Sequence, residues 1–185
     1  MGQRKLELFE ICGYLPYGLL FDTFYGVIKL TGLQSGALIP EEISEIDGKY
    51  EQYELEDVKP ILRPISDLYK TITHNGKEIV PIVELAKIAY PYYDWEIANK
   101  MAFRDINKKE FIDREFFGCK KSERVKLHRI DIGYFYTIYR CDNIENIPNQ
   151  VELFDFLHEL KIDYRGLIDA GLAVSVYDLD SNPYN

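Results

Sequence analysis

Cysteine, histidine and basic residues are all in short supply in this chain, and each shortage narrows what it can do. Cys12, Cys119 and Cys141 are odd in number, far apart and without a Cys-x-x-Cys pair, which argues against a disulfide framework and a cysteine zinc site. His74, His128 and His158 are equally scattered, and with no second ligand at fixed spacing each reads as a structural or surface residue. No P-loop, GxSxG, HExxH or dinucleotide fingerprint is present, so the expectation is a protein that is not an enzyme and carries no cofactor and no metal. Asp178, Asp180 and Asn182 open like a calcium loop, but Pro183 stands where that loop needs glycine. Asp155, His158, Glu159 and Asp163 tempt an acid–base reading, yet carboxylates on a helix usually form its wet face. No apolar run approaches the ~20 residues of a membrane span, and the first ten residues lack a signal-peptide core. Leu6 breaks the N-myristoylation pattern that Gly2 begins. A cytoplasmic protein with no membrane partner is expected.

What is present is enough apolar residue for a core. Hydrophobic residues make up 46% of 185, a length that fits one domain. The organising stretch runs from Asp57 to Leu85, where Pro60, Pro64 and Pro81 fix φ and lack an N–H, so they suit element starts and sheet edges. Asn75-Gly76 between Thr71-Ile72-Thr73 and Ile79-Val80 predicts a type I′ hairpin, and Pro81 opens a helix with Ile82, Leu85, Ile88 and Ala89 at helical spacing. Leu6 to Cys12 fits either a short helix or a short strand, and Gly13 to Leu19 reads as a loop. Phe24 to Leu30 reads as a strand ending near Thr31, and Asp47-Gly48 as the turn of a strand pair. Asp94 is placed to cap a helix through Trp95, Ala98, Met101 and Ala102. Arg124 to Asp131 and Tyr134 to Arg140 form a hairpin turning near Gly133, expected in the main sheet. After Pro148-Asn149 a helix should bury Val151, Phe154, Leu157 and Leu160, and Ala173 to Tyr177 should close as a last strand. The fold class is α+β: a single domain, residues 1–185, with a mostly antiparallel sheet and several packed helices.

Charge is unevenly laid out. Lys and Arg number 22 against 31 Asp and Glu, a net charge of −9. Residues 41–57 carry eight acids against Lys49, and Glu41, Glu42 and Glu45 head that run. From Lys100 to Arg129 the sign reverses, with ten Lys or Arg against five acids, leaving −14 for the rest. Lys100, Arg104 and Lys108 recur at four-residue spacing, which would put them on one helical face, with Lys109 beside them and Tyr92 and Tyr93 upstream as aromatic anchors. These nine residues are the candidate binding set. Direct RNA contact by the basic stretch alone runs against a pI near 4.9.

Three blocks, Gly13 to Leu19 (GYLPYGL), Lys59 to Leu68 (KPILRPISDL) with Ile79 to Ile82, and Gly166 to Ala173 (GLIDAGLA), together resemble a family of uncharacterised bacteriophage and prophage proteins. Residues 90–147 lie outside those blocks and read as a family-variable insert. The resemblance implies a phage-encoded protein working inside a bacterial host. Combined with the acidic balance, it leads to the expectation of a binding protein that antagonises a bacterial defence system, an anti-CRISPR-type inhibitor of an RNA-guided nuclease. Its partner would then be a protein or nucleoprotein complex, a CRISPR effector. The alternative is an accessory of phage replication or morphogenesis.

Overall fold

A computed structural model describes residues 4–34, 37–40, 45–46, 49–50, 53–89, 104–105, 114–117, 124–130, 134–138, 144–146 and 149–184. The chain divides into two compact units, Met1–Asp67 with Leu157–Asn185, and Leu68–Phe156. Residues 90–147 fall within the second.

The first unit is built on a five-stranded sheet. Its strands are β1 (Leu20–Thr23), β2 (Gly26–Gln34), β3 (Ala37–Pro40), β6 (Lys59–Leu62) and β14 (Val174–Ser175), in the order β14-β6-β1-β2-β3. Only β14 pairs in parallel, through Val174↔Ile61 and Ser175↔Leu62. Pro60 therefore sits inside a sheet, contrary to the edge position its missing N–H predicts. The reason is local: β14 reaches only Ile61 and Leu62, so β6 has no neighbour on that side at Pro60. One end of the β1–β6 ladder is bridged by a side chain, because the Tyr184 hydroxyl accepts from Leu20 N–H at 2.9 Å and donates to Ile61 C=O at 2.9 Å. Ile11, Tyr14, Phe21, Leu38, Ile61, Leu62, Leu157, Ile162 and Leu167 are fully enclosed and make up this unit's core.

Leu6 to Cys12 resolves as a short helix, α1 (Leu8–Ile11), whose Glu10 carboxylate accepts from Glu7 N–H and pairs with Arg4. A 3-10 turn at Leu15–Tyr17 follows and ends on Gly18 at φ 70°. Residues 47–48 do lie between two short paired strands, β4 (Glu45–Ile46) and β5 (Lys49–Tyr50). The strand expected to end near Thr31 runs on to Gln34 with a register shift between Leu30 and Gly32.

In the second unit the Asn75-Gly76 hairpin forms as its sequence predicts. β7 (Ile72–His74) pairs with β8 (Lys77–Ile79), and both turn residues take positive φ, 49° and 72°. Pro81 then opens α2 (Pro81–Ala89), which buries Ile82 and Leu85. A second five-stranded sheet is antiparallel throughout, in the order β13-β12-β11-β10-β9, from β9 (Arg104–Asp105), β10 (Arg114–Phe117), β11 (Arg124–Ile130), β12 (Tyr134–Ile138) and β13 (Ile144–Asn146). The expected hairpin around Gly133 is β11–β12, with Ile130↔Tyr134 as its last pair. It stands at the centre of this five-stranded sheet, one of two with five strands among the described residues. The capped helix expected after Asp94 falls outside the described residues up to Ala102.

The last helix, α3 (Gln150–Glu159), starts where Pro148-Asn149 predicts, but its buried stripe is rotated. Leu153, Leu157 and Leu160 are enclosed and Phe154 is half-buried, whereas Val151 is 69% exposed. Leu153 and Leu157 at i, i+4 define the inward row, and Val151 lies two residues off it. The helix ends in a Schellman motif: Ile162 N–H reaches Leu157 C=O, Lys161 N–H reaches His158 C=O, and Lys161 takes φ 57° where glycine is usual. The architecture is thus α+β with mostly antiparallel strands. The several packed helices expected from sequence reduce to three α-helices among the described residues, of 4, 9 and 10 residues.

Candidate interaction surface

The nine residues singled out by charge and aromaticity are only partly placed. Glu41, Glu42, Tyr92, Tyr93, Lys100, Lys108 and Lys109 lie outside the described residues. Glu45 sits in β4 opposite Tyr50. Arg104 is in a strand, which overturns the helical face that its four-residue spacing from Lys100 and Lys108 implied. In that strand it stands opposite Glu115, and Glu115 stands opposite Lys126 on its other side. Asp105 similarly stands opposite Arg114. Cross-strand register, a pattern that helical spacing cannot reveal, thus places three of the region's Lys and Arg positions opposite two of its Asp and Glu positions.

Of the tempting acid–base set, His158 and Asp163 hold structural hydrogen bonds. Asp163 caps the following turn, its two oxygens accepting from Leu167 N–H at 2.9 Å and Ile168 N–H at 2.8 Å. The His158 ring nitrogen Nε2 shares a 2.7 Å hydrogen bond with the Tyr164 hydroxyl, and its ring meets Tyr14 edge-on at 4.7 Å. Tyr14 is enclosed and donates to Ile162 C=O at 2.8 Å, and burial, helped by Tyr164 and Asp163, pushes its hydroxyl well above the usual tyrosine range. A hydroxyl so committed holds chain segments together. Asp155 is exposed and stands apart from this cluster's bonds. Among the described residues no group of three or more His, Cys, Asp or Glu is placed to hold a metal ion, and no helix is long and apolar enough to cross a membrane.

The feature that stands out physically is one the sequence reading placed inside a strand. Phe24 and Tyr25 are the two residues between β1 and β2, outside the ladder, whose last pair is Thr23↔Gly26. Phe24 is 94% exposed and Tyr25 77% exposed, with Val27 partly exposed beside them. Their rings meet edge-to-face at 5.3 Å and 89°. Thr23 braces the turn, its hydroxyl donating to Gly26 C=O at 2.7 Å and accepting from Tyr25 N–H at 3.1 Å. Gly26 takes φ 119°, a conformation that side-chain-bearing residues rarely adopt. Below the tip the stem is anchored by Phe21 and Leu19, both buried. The signal was present as Thr-Phe-Tyr-Gly, but two aromatics between β-formers read as strand because turn composition normally means Asn, Asp or Gly.

The braced hairpin thus presents two adjoining rings to water. Aromatic side chains of this kind dominate interface energetics because they bury much surface while losing little rotamer freedom. Comparison with protein-family models, curated proteins and solved structures finds no match.

Proposed function

We propose that this is a phage-encoded binding protein that antagonises a bacterial RNA-guided nuclease by docking on the nucleoprotein complex, without catalysis of its own. The observation that carries the binding part is the braced Phe24–Tyr25 tip, whose rings meet each other and stand largely exposed to water. Two further considerations support the choice of target. A net charge of −9 favours a partner with a basic surface, and the groove of a nucleic-acid enzyme is such a surface. The resemblance of the three sequence blocks to phage proteins supplies the setting, the interior of an infected bacterium. In this reading the tip fills an apolar pocket beside the groove while the acidic run around Glu41, Glu42 and Glu45 occupies part of the groove. The basic stretch with Lys100, Arg104, Lys108 and Lys109 meets guide RNA or an acidic patch, and Tyr92 and Tyr93 add anchors.

The test is guided cleavage by host effectors in the presence of four proteins. These are wild type, the Phe24→Ser/Tyr25→Ser double variant, a variant with Glu41, Glu42 and Glu45 changed to Lys, and one with the four cations changed to Glu. Inhibition by wild type that is lost in the tip variant and weakened in both charge variants is the expected outcome. Absence of inhibition of any RNA-guided effector by wild type would overturn the target, and full inhibition by the tip variant would overturn the anchor.

A further inference from the structure

Three stretches far apart in the chain, 4–6, 55–59 and 171–172, close on a half-open groove of about 220 Å³ within the first unit. Leu6, Leu55, Val58 and Leu172 supply its apolar lining. Its charged lining is Arg4, Lys5 and Lys59 against Glu56 alone, a basic spot in an acidic chain. Two of those cations are already engaged, Arg4 with Glu10 and Lys5 with Glu56 at 2.6 Å. Lys59 is different. It is exposed, and although Asp22 stands opposite it in the β1–β6 ladder, no ion pair holds its ammonium among the described residues.

We propose that this groove binds a small organic anion: one carboxylate or phosphate group on a compact apolar body, about one aromatic ring in size. The volume sets the size, because a cavity of ~150 Å³ suffices for benzene while drug-sized ligands fill ~300 Å³ or more. The charge sets the sign. With Arg4 and Lys5 neutralised by their partners, Lys59 is the cation left to meet an anion, and the leucines and Val58 meet the ring. Gly171, at φ 71°, adds backbone without a side chain to the same wall, and space beside it is open. This site is separate from the aromatic tip and does not depend on the target proposed above.

The experiment is a titration of the isotope-labelled full chain, followed by backbone and methyl NMR shifts, with three probes of equal ring size: phenyl phosphate, benzoate and benzylamine. Saturable shifts at Leu6, Leu55, Val58 and Leu172 are expected with both anions, and benzylamine should bind at least about tenfold more weakly. Lys59→Glu should weaken the anions by about tenfold or more, whereas Lys77→Glu, a charge reversal of an exposed strand residue that does not line the groove, should change nothing. Thermal melts of both variants check that each remains folded. Equal binding of benzoate and benzylamine, unaltered anion binding by Lys59→Glu, or no saturable shift with any probe would overturn the site. An adventitious additive only, marked by non-saturating shifts scattered away from the groove, overturns it equally.

Discussion

Gly13 lacks a side chain because the His158 ring occupies the place where one would go: a Cβ built there would meet ring atoms at 2.4, 2.6 and 2.8 Å. Moving that ring would break its hydrogen bond to Tyr164, so Gly13→Ala should lower stability by about 1–3 kcal/mol, read as a lower urea midpoint at unchanged slope. A midpoint equal to wild type would show that the ring has room to yield. A second residue-scale consequence concerns pH. Burial raises the Tyr14 and Tyr184 hydroxyls above their ordinary value of 10.0, so on alkalinisation the unfolded chain loses these protons first. Their contribution to stability is whole below that value and is lost as pH rises past it. Lys161 acts in the opposite sense, because burial lowers its pKa below 10.5 and stability recovers as pH climbs towards that value. Tyr184→Phe should cost about 1–2 kcal/mol near neutrality, through the lost partners of Leu20 and Ile61. It should also reduce the fall in urea midpoint between about pH 10 and about pH 11, since a buried hydroxyl that resists ionisation in the folded chain is gone. Identical alkaline falls in variant and wild type would remove Tyr184 from the linkage.

Elements show where local chemistry sufficed to read the chain and where it did not. Asn75-Gly76 and Pro81 announce their hairpin and helix because positive φ and a missing N–H leave few alternatives at those residues. The existence of α3 was legible in the same way, but its inward face was not: Val151 and Leu153 are both apolar, and only the packing decides between them. Leu157→Ala should therefore destabilise by about 2–5 kcal/mol, while Val151→Ala should stay within about 0.5 kcal/mol. Equal effects in chemical denaturation would restore the face expected from sequence. Arg104 was misread because four-residue spacing counts as a face only on a helix, and in β9 its neighbours are set by register. The Phe24–Tyr25 tip was hidden for a related reason. β-forming residues carry no mark of whether they pair or turn, and Thr23 and Gly26 disclose the turn only once the ladder is known.

At the scale of the molecule, two properties bear on the proposed recognition, a braced pair of exposed rings and a net charge of −9. If both serve recognition, they divide the work. Charge should govern how quickly and at what ionic strength the partner is met, and the rings how long it is kept. Raising salt from about 50 to about 500 mM should slow association markedly, with a smaller change in dissociation. A salt-independent association rate would detach the acidic surface from recognition. The most direct test immobilises a guide-loaded RNA-guided nuclease, the proposed target, and measures binding of wild type and of the Phe24→Ser/Tyr25→Ser variant, each first shown to melt at the same temperature. The account predicts that the variant dissociates faster and binds at least about a hundredfold more weakly, as expected when two anchor side chains leave an interface. Equal affinity of the two proteins would contradict it.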